Sequence, residues 1–224
     1  IIIFKYPELI ILNTIYAHYD SASSINFTSD GKYLISAGDD GEVKIWNAED
    51  NFNILKSIKA HKNFITKVVT DNNYRYIVTA SEDNTIKVID FKSGEIIHSL
   101  ESHIDYIKGL DISQGGKYII SGDDAGEIIV WNTASGKLLY RLKQHRDYIR
   151  SIEVTPDNKY FVATSDDKTI SLWHIESGKL IRLYAGFSDW IYDCTLTKNG
   201  DYIISVSDNY NAVISPLSDK AFST

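Results

Sequence analysis

Apolar residues in this chain come in short bursts, many of them alternating with polar ones, and no window holds a 3.6-residue apolar stripe. Lys32-Tyr33-Leu34-Ile35-Ser36 and Glu42-Val43-Lys44-Ile45-Trp46 are rich in the β-branched and aromatic side chains that favour strands. Between them, Gly38-Asp39-Asp40-Gly41 supplies residues that tolerate the backbone angles of a tight hairpin. The pattern therefore predicts a strand, a turn and a second strand.

This unit recurs along the chain. His18, His61, His103 and His145 are separated by 43, 42 and 42 residues, and the next step falls on Phe187. Tyr33, Tyr76, Tyr118, Tyr160 and Tyr202 keep the same beat. Trp46, Trp131 and Trp173 share one phase, with Ile89 and Ser215 in the two remaining places. Ser93-Gly94, Ser135-Gly136 and Ser177-Gly178 mark a further turn, so each unit has room for four strands of about five residues.

The period, the histidine, the Asp-bearing hairpin and the terminal Trp-Asn or Trp-His together resemble WD40 repeats, and the segments SAGDDGEVKIWN, TASEDNTIKVID and ATSDDKTISLWH are close to that family's signature. The resemblance covers nearly the whole chain. It implies an all-β WD40 β-propeller, each unit a four-stranded blade around a central channel. Residues 1–17 are then the last strand or strands of a preceding blade, and 18–60, 61–102, 103–144 and 145–186 are four blades. Residues 187–224 form an incomplete fifth blade of the same propeller domain. Five blades close only if a strand near Leu9–Tyr16 completes the last one. The expectation is instead part of a seven-bladed or larger ring, because there is no methionine even at position 1 and the chain opens inside a strand-like run, Ile1-Ile2-Ile3-Phe4.

The family resemblance further implies a hydrogen-bonded set of His, Ser/Thr, Asp and Trp inside each blade. By position, His18, Ser36, Asp40 and Trp46 are the one full set. The second unit keeps His61, Thr79 and Asp83 but has Ile89 for the indole. In the third, Ala125 takes the acid's place beside His103, Ser121 and Trp131. The fourth has Ala163 at the hydroxyl position beside His145, Asp167 and Trp173, and the fifth has Phe187, Ser205, Asn209 and Ser215. A buried polar group without its partner costs about 1–3 kcal/mol, so the later blades are expected to be held less firmly.

The resemblance also places residues just after the phased histidine, and just before the hairpin acid, at the channel opening where partners bind. Those positions hold Ser21, Phe64, Tyr106, Tyr148 and Trp190, then Ser23, Thr66, Lys108, Arg150 and Tyr192, and finally Asp39, Glu82, Asp124, Asp166 and Asp208. The expected face is an aromatic belt with one acid per blade, suited to a partner segment bearing Lys or Arg.

Composition narrows the function classes. Hydrophobic residues are 43% and charged residues 24%, which suits a globular core, and no apolar run reaches the ~18–20 residues of a membrane helix. A single cysteine, Cys194, leaves no internal disulfide or cysteine metal cage, and an intracellular, cytoplasmic setting is expected. A net charge of −7 opposes a nucleic-acid backbone as main partner. The basic run Lys137, Arg141, Lys143, Arg146 and Arg150 keeps RNA or ribonucleoprotein binding open as an alternative.

Ser36, His18 and Asp40 have the residue types of a nucleophilic triad, but their recurrence with different members lost suits a strut. The four phased histidines fall on different blades, so neither metal nor cofactor is expected. The reading is a non-catalytic scaffold for other proteins within a larger complex. The alternative is a regulatory domain of a multidomain enzyme such as an ATPase, a kinase or a ubiquitin-ligase subunit.

Overall fold

The computed structural model describes residues 1–209 and 211–217, and all its regular structure is β. A hairpin of β1 (Ile2–Lys5) and β2 (Ile10–Thr14) comes first. The first four-stranded sheet is β3 (Ala22–Phe27), β4 (Tyr33–Gly38), β5 (Glu42–Asn47) and β6 (Asn53–Lys59). The second is β7 (Ile65–Thr70), β8 (Tyr76–Ser81), β9 (Thr85–Asp90) and β10 (Ile96–Glu101). The third is β11 (Ile107–Ile112), β12 (Tyr118–Asp123), β13 (Glu127–Asn132) and β14 (Lys137–Lys143). The fourth is β15 (Ile149–Val154), β16 (Tyr160–Ser165), β17 (Ile170–His174) and β18 (Lys179–Tyr184). Three strands end the series, β19 (Ile191–Leu196), β20 (Tyr202–Ser207) and β21 (Ala212–Pro216). Each sheet is an antiparallel meander, and residues 218–224, assigned above to the fifth unit, lie outside the described residues.

Each of the four complete units turns between its second and third strands through one left-handed residue. Gly41, Asn84, Gly126 and Lys168 occupy this place with φ of 70°, 64°, 77° and 67°. Glycine and asparagine adopt the angle readily, whereas a lysine there carries backbone strain.

Successive sheets pack face to face, and the cores lie between them. Ile35, Val43 and Ile45 of the first sheet meet Ile65, Val68 and Ile77 of the second. Val78, Val88 and Leu100 of the second sheet meet Leu110, Ile119 and Trp131 of the third. The second strand of each of the four complete sheets is covered on both sides, so its residues are nearly all buried. Gly122 is required by this packing, because a Cβ there would run into Ile149 of the next sheet.

The two ends of the series lack that cover. Ile25 is 52% exposed although its phase-mates Val68, Leu110 and Ile152 are at most 5% exposed. Ile214 is 66% exposed although Ile45, Val88, Val130 and Leu172 are buried. Among the described residues no strand of the first sheets is hydrogen-bonded to the last sheet, and no closure of the series into a ring is shown. Closure of five units by a strand near Leu9–Tyr16 is not realised, since β2 pairs with β1. Among the described residues no helix is long and apolar enough to cross a membrane.

Candidate functional site

Inside the first sheet, His18 Nδ1 lies 2.9 Å from Asp40 Oδ1 and Nε2 lies 2.8 Å from Ser36 Oγ, which also accepts the Trp46 indole N–H at 3.0 Å. One proton assignment satisfies every atom: Nδ1–H donates to the carboxylate, the serine O–H donates to Nε2, and the indole donates to the serine oxygen. The second sheet repeats this with His61, Asp83 and Thr79 at 3.0 and 2.8 Å. Ile89, fully buried, fills the indole's place without a donor.

Two sets expected to be broken are whole. In the third sheet Asp123, two residues before Ala125, brings Oδ2 to 2.7 Å from His103 Nδ1, while Ser121 accepts the Trp131 N–H at 2.9 Å. In the fourth, Ser171 supplies the hydroxyl that Ala163 lacks, 2.7 Å from both His145 Nε2 and Trp173 Nε1. Ser171 stands directly opposite Ala163 in the β16–β17 register, so the hydroxyl has moved across one rung of the ladder. Three sets are therefore complete where one was expected, and the third and fourth units are held by the same bonds as the first. The fifth unit forms no such set: Asn209 instead bonds Ser188 and accepts the Ser207 hydroxyl at 2.7 Å.

Ser36, His18 and Asp40 thus have the connectivity of a nucleophilic triad, but Ser36, Ser121 and Ser171 are each 0% exposed and capped by an indole. No substrate atom reaches a hydroxyl so enclosed, and the arrangement acts as a strut. His103, Asp123 and Glu127 bring potential metal ligands close together. Both nitrogens of that histidine are engaged by Asp123 and Ser121, and Glu127 is held by Arg141 and Lys143.

The strut carboxylates respond to this environment. Burial alone would raise Asp167, but the hydrogen bonds from His145 and Thr169 bring it down to about 2. Asp40 and Asp83 are lowered against burial in the same way, by Glu42 and His18 for the first and by His61 and Thr85 for the second.

At one rim, each unit has an Asp or Asn two residues past the phased position, a regular signal that the sequence reading above did not use. Asp20, Asn63, Asp105, Asp147 and Asp189 each accept the next residue's backbone N–H at 2.8–2.9 Å, a turn that sets the direction of the residue following. Those next residues include Phe64, Tyr106, Tyr148 and Trp190, each between 40 and 43% exposed. The backbone N–H of Asp39, Glu82, Asp124, Asp166 and Asp208 bonds the carbonyl of Ser21, Phe64, Tyr106, Tyr148 and Trp190 respectively. An aromatic and an acidic residue are therefore brought together in the second to fifth units, and Ser21 and Asp39 in the first.

The rim is nevertheless not the open acidic belt expected. Lys108 reaches Asp124 at 2.6 Å, and Arg150 takes Asp166 through both Nε, at 2.8 Å, and Nη2. Both carboxylates are buried, because a cation sixteen residues earlier in the same unit already neutralises each. Lys108 and Arg150 both lie over the Tyr148 ring, and Arg150 also lies over Tyr192. Asp39, Glu82 and Asp208, by contrast, carry no ion pair among the described residues, and Asp208 bonds the Tyr192 hydroxyl. The basic run is dispersed too. Arg141 and Lys143 pair with Glu127, Arg150 faces the axis, and Arg146 lies on the loop before β15. Three of the five are thus ion-paired to acids, while Lys137 and Arg146 carry no ion pair among the described residues.

The first strands of all five sheets line one axial recess of about 470 Å³. Below its mouth, burial pushes Asp111 up to about 7 even though the N–H groups of Ile112 and Val154 bond its carboxylate at 2.7 Å. Burial raises Glu153 as well. Cys194 is buried, and desolvation pushes its thiol up, away from the reactive thiolate.

Comparison with known families gives a match to WD40, the WD domain, G-beta repeat, over residues 10–47, 52–90, 94–132 and 136–174. The chain belongs to the WD40 repeat family. No curated protein matches it.

Proposed function

We propose that this WD-repeat chain is a non-catalytic scaffold that holds other proteins on its loop rim, inside the cell, as a subunit of a larger complex. Members of the family typically serve protein–protein interaction without catalysis. The observation that carries the reading is the row Phe64, Tyr106, Tyr148 and Trp190, four large aromatics kept half exposed at one phase by dedicated turns. Aromatic side chains bury large area at low rotamer cost, which is why they dominate interface hot spots. With Asp124 and Asp166 neutralised internally, a basic partner segment would find its carboxylates at Asp39, Glu82 and Asp208, on the first two units and the last.

We assign residues 18–60, 61–102, 103–144 and 145–186 as four blades, with 1–17 and 187–224 as parts of two more, in one propeller of seven or more blades. Support comes from the uncovered faces at Ile25 and Ile214, which repeat the surfaces that successive sheets bury against each other.

The test is quantitative co-purification with Tyr106→Ala, Tyr148→Ala and Trp190→Ala combined in one chain. Loss of bound proteins from a variant with wild-type circular dichroism is expected. An unchanged set of partners on a folded variant would sink the aromatic rim as the docking face.

A further inference from the structure

Six residues past each phased position, the first strands place Ser24, Lys67, Gly109, Ser151 and Asp193 at one level of the axial recess. The four that carry side chains all line it, and Gly109, where Ile149 and Ile152 press in, adds none. Two of these groups have no protein hydrogen-bond partner among the described residues. Lys67 is half-buried, yet its ammonium has no ion pair or hydrogen bond among the described residues. Lys44 and Lys87, by contrast, are engaged, Lys44 with Ala17 O at 2.6 Å and Lys87 with Ser99 Oγ at 2.6 Å. Ser151 is only 7% exposed, lines the recess and has no partner for its hydroxyl. A hydrogen bond that the ammonium donates to a ligand is charge-assisted, and the stronger for it.

The surroundings define the chemistry such a ligand needs. Lys108 and Arg150 line the mouth, and Arg150 leaves its Nη1 unbonded while Nε and Nη2 hold Asp166. Both mouth cations are already held by Asp124 and Asp166, so among the lining residues an anion meets an unpaired cation only at the Lys67 ammonium, beside the Ser151 hydroxyl. Asp193 lines the same level with one oxygen bonded to Cys194 N–H, and it repels a bare anion but accepts from a donor. Asp111 and Glu153 line an adjoining recess together with Lys67, Ser151 and Asp193, so the ammonium also faces these two acids.

We propose that the axial recess binds a small oxyanion that carries its own hydroxyl or ammonium group, the oxyanion resting on Lys67 and Ser151 and the donor on Asp193. A recess of about 470 Å³ has room for a molecule of metabolite size. Phosphate and carboxylate share the required chemistry.

Calorimetric titration of the chain with inorganic phosphate, glycerol phosphate and glycine separates the sources. Saturable binding is expected for glycerol phosphate or glycine, about tenfold tighter than for inorganic phosphate, since an added hydrogen bond to a charged group is worth that factor. Lys67→Met should weaken that binding at least about tenfold and Ser151→Ala about fivefold. Asp193→Asn should remove the preference over inorganic phosphate. Circular dichroism checks the fold of each variant, and Ser151→Ala, a loss of one atom, keeps the test valid if Lys67→Met unfolds. Absence of saturable binding by all three ligands overturns the proposal, as does binding that Ser151→Ala and Lys67→Met leave unchanged.

Discussion

His103 Nδ1 and Asp123 Oδ2 are 2.7 Å apart, and the residue that the repeat aligns with the acid of the other units is Ala125. Asp123 reaches the same imidazole from two positions earlier, at the end of β12, and its other oxygen accepts the N–H groups of Ala125 and Glu127 at 3.1 and 2.9 Å. The bond that ties this unit together is thus kept although its aligned residue is gone.

Asp123→Ala should therefore destabilise the chain by about 2–3 kcal/mol, because it leaves a buried imidazole N–H and two backbone donors without a charged acceptor. Ala125→Asp in the wild-type background should bring no comparable gain. Urea midpoints of the two variants check this.

Ser171→Ala should cost about 1–3 kcal/mol by orphaning the Trp173 indole N–H and His145 Nε2. Ala163 lies directly across the strand pair, so adding Ala163→Ser to Ser171→Ala should recover at least half of the loss. That would restore the arrangement of Ser121 and Trp131, and failure of the double variant to recover would refute the rung exchange.

Arg150→Ala should cost about 3 kcal/mol, because it strands the Asp166 carboxylate inside the rim. Arg150→Ala combined with Asp166→Asn should cost clearly less, since no unpaired charge is left. Equal losses in the two variants would mean that the pair acts only through packing on Tyr148 and Tyr192.

Acid dependence should show two opposed ramps. Asp40, Asp83 and Asp167 are lowered in the folded state, so their stabilisation is present above the ordinary carboxylate value near 4 and is lost as pH falls towards about 2. Asp111 is raised to about 7, so the folded state keeps a proton that the unfolded chain has released. Stability from this group falls as pH rises from about 4 to 7 and is level above that. Glu153 adds to the same decline. Urea midpoints across this range test both, and Asp111→Asn, although less stable overall, should flatten the upper ramp.

The repeat of 42 residues made the strands legible because a side chain's face and a turn's position are local properties, set by alternation and by residues such as Gly41 and Asp40. The same phase marked the histidines and placed Phe64, Tyr106, Tyr148 and Trp190 at one level. It misjudged Asp123 and Ser171, because alignment compares residues at equal chain position whereas a hydrogen bond needs only atoms at equal places in space. An antiparallel ladder offers that place from two strands, and a hairpin offers it from two positions along one strand.

Charge was misread for a related reason. Asp124 and Asp166 look like free acids along the chain, and only the β11–β12 and β15–β16 pairings bring Lys108 and Arg150 against them. The sequence by itself determined how many strands there are, where they turn and which of their residues are apolar, since these follow from local backbone preference and alternation. Tertiary structure decided which polar groups are satisfied, which carboxylates remain free and which side chains meet at the axis. Those properties depend on distances of about 3 Å between residues far apart in the chain, and a one-dimensional period carries no information about them.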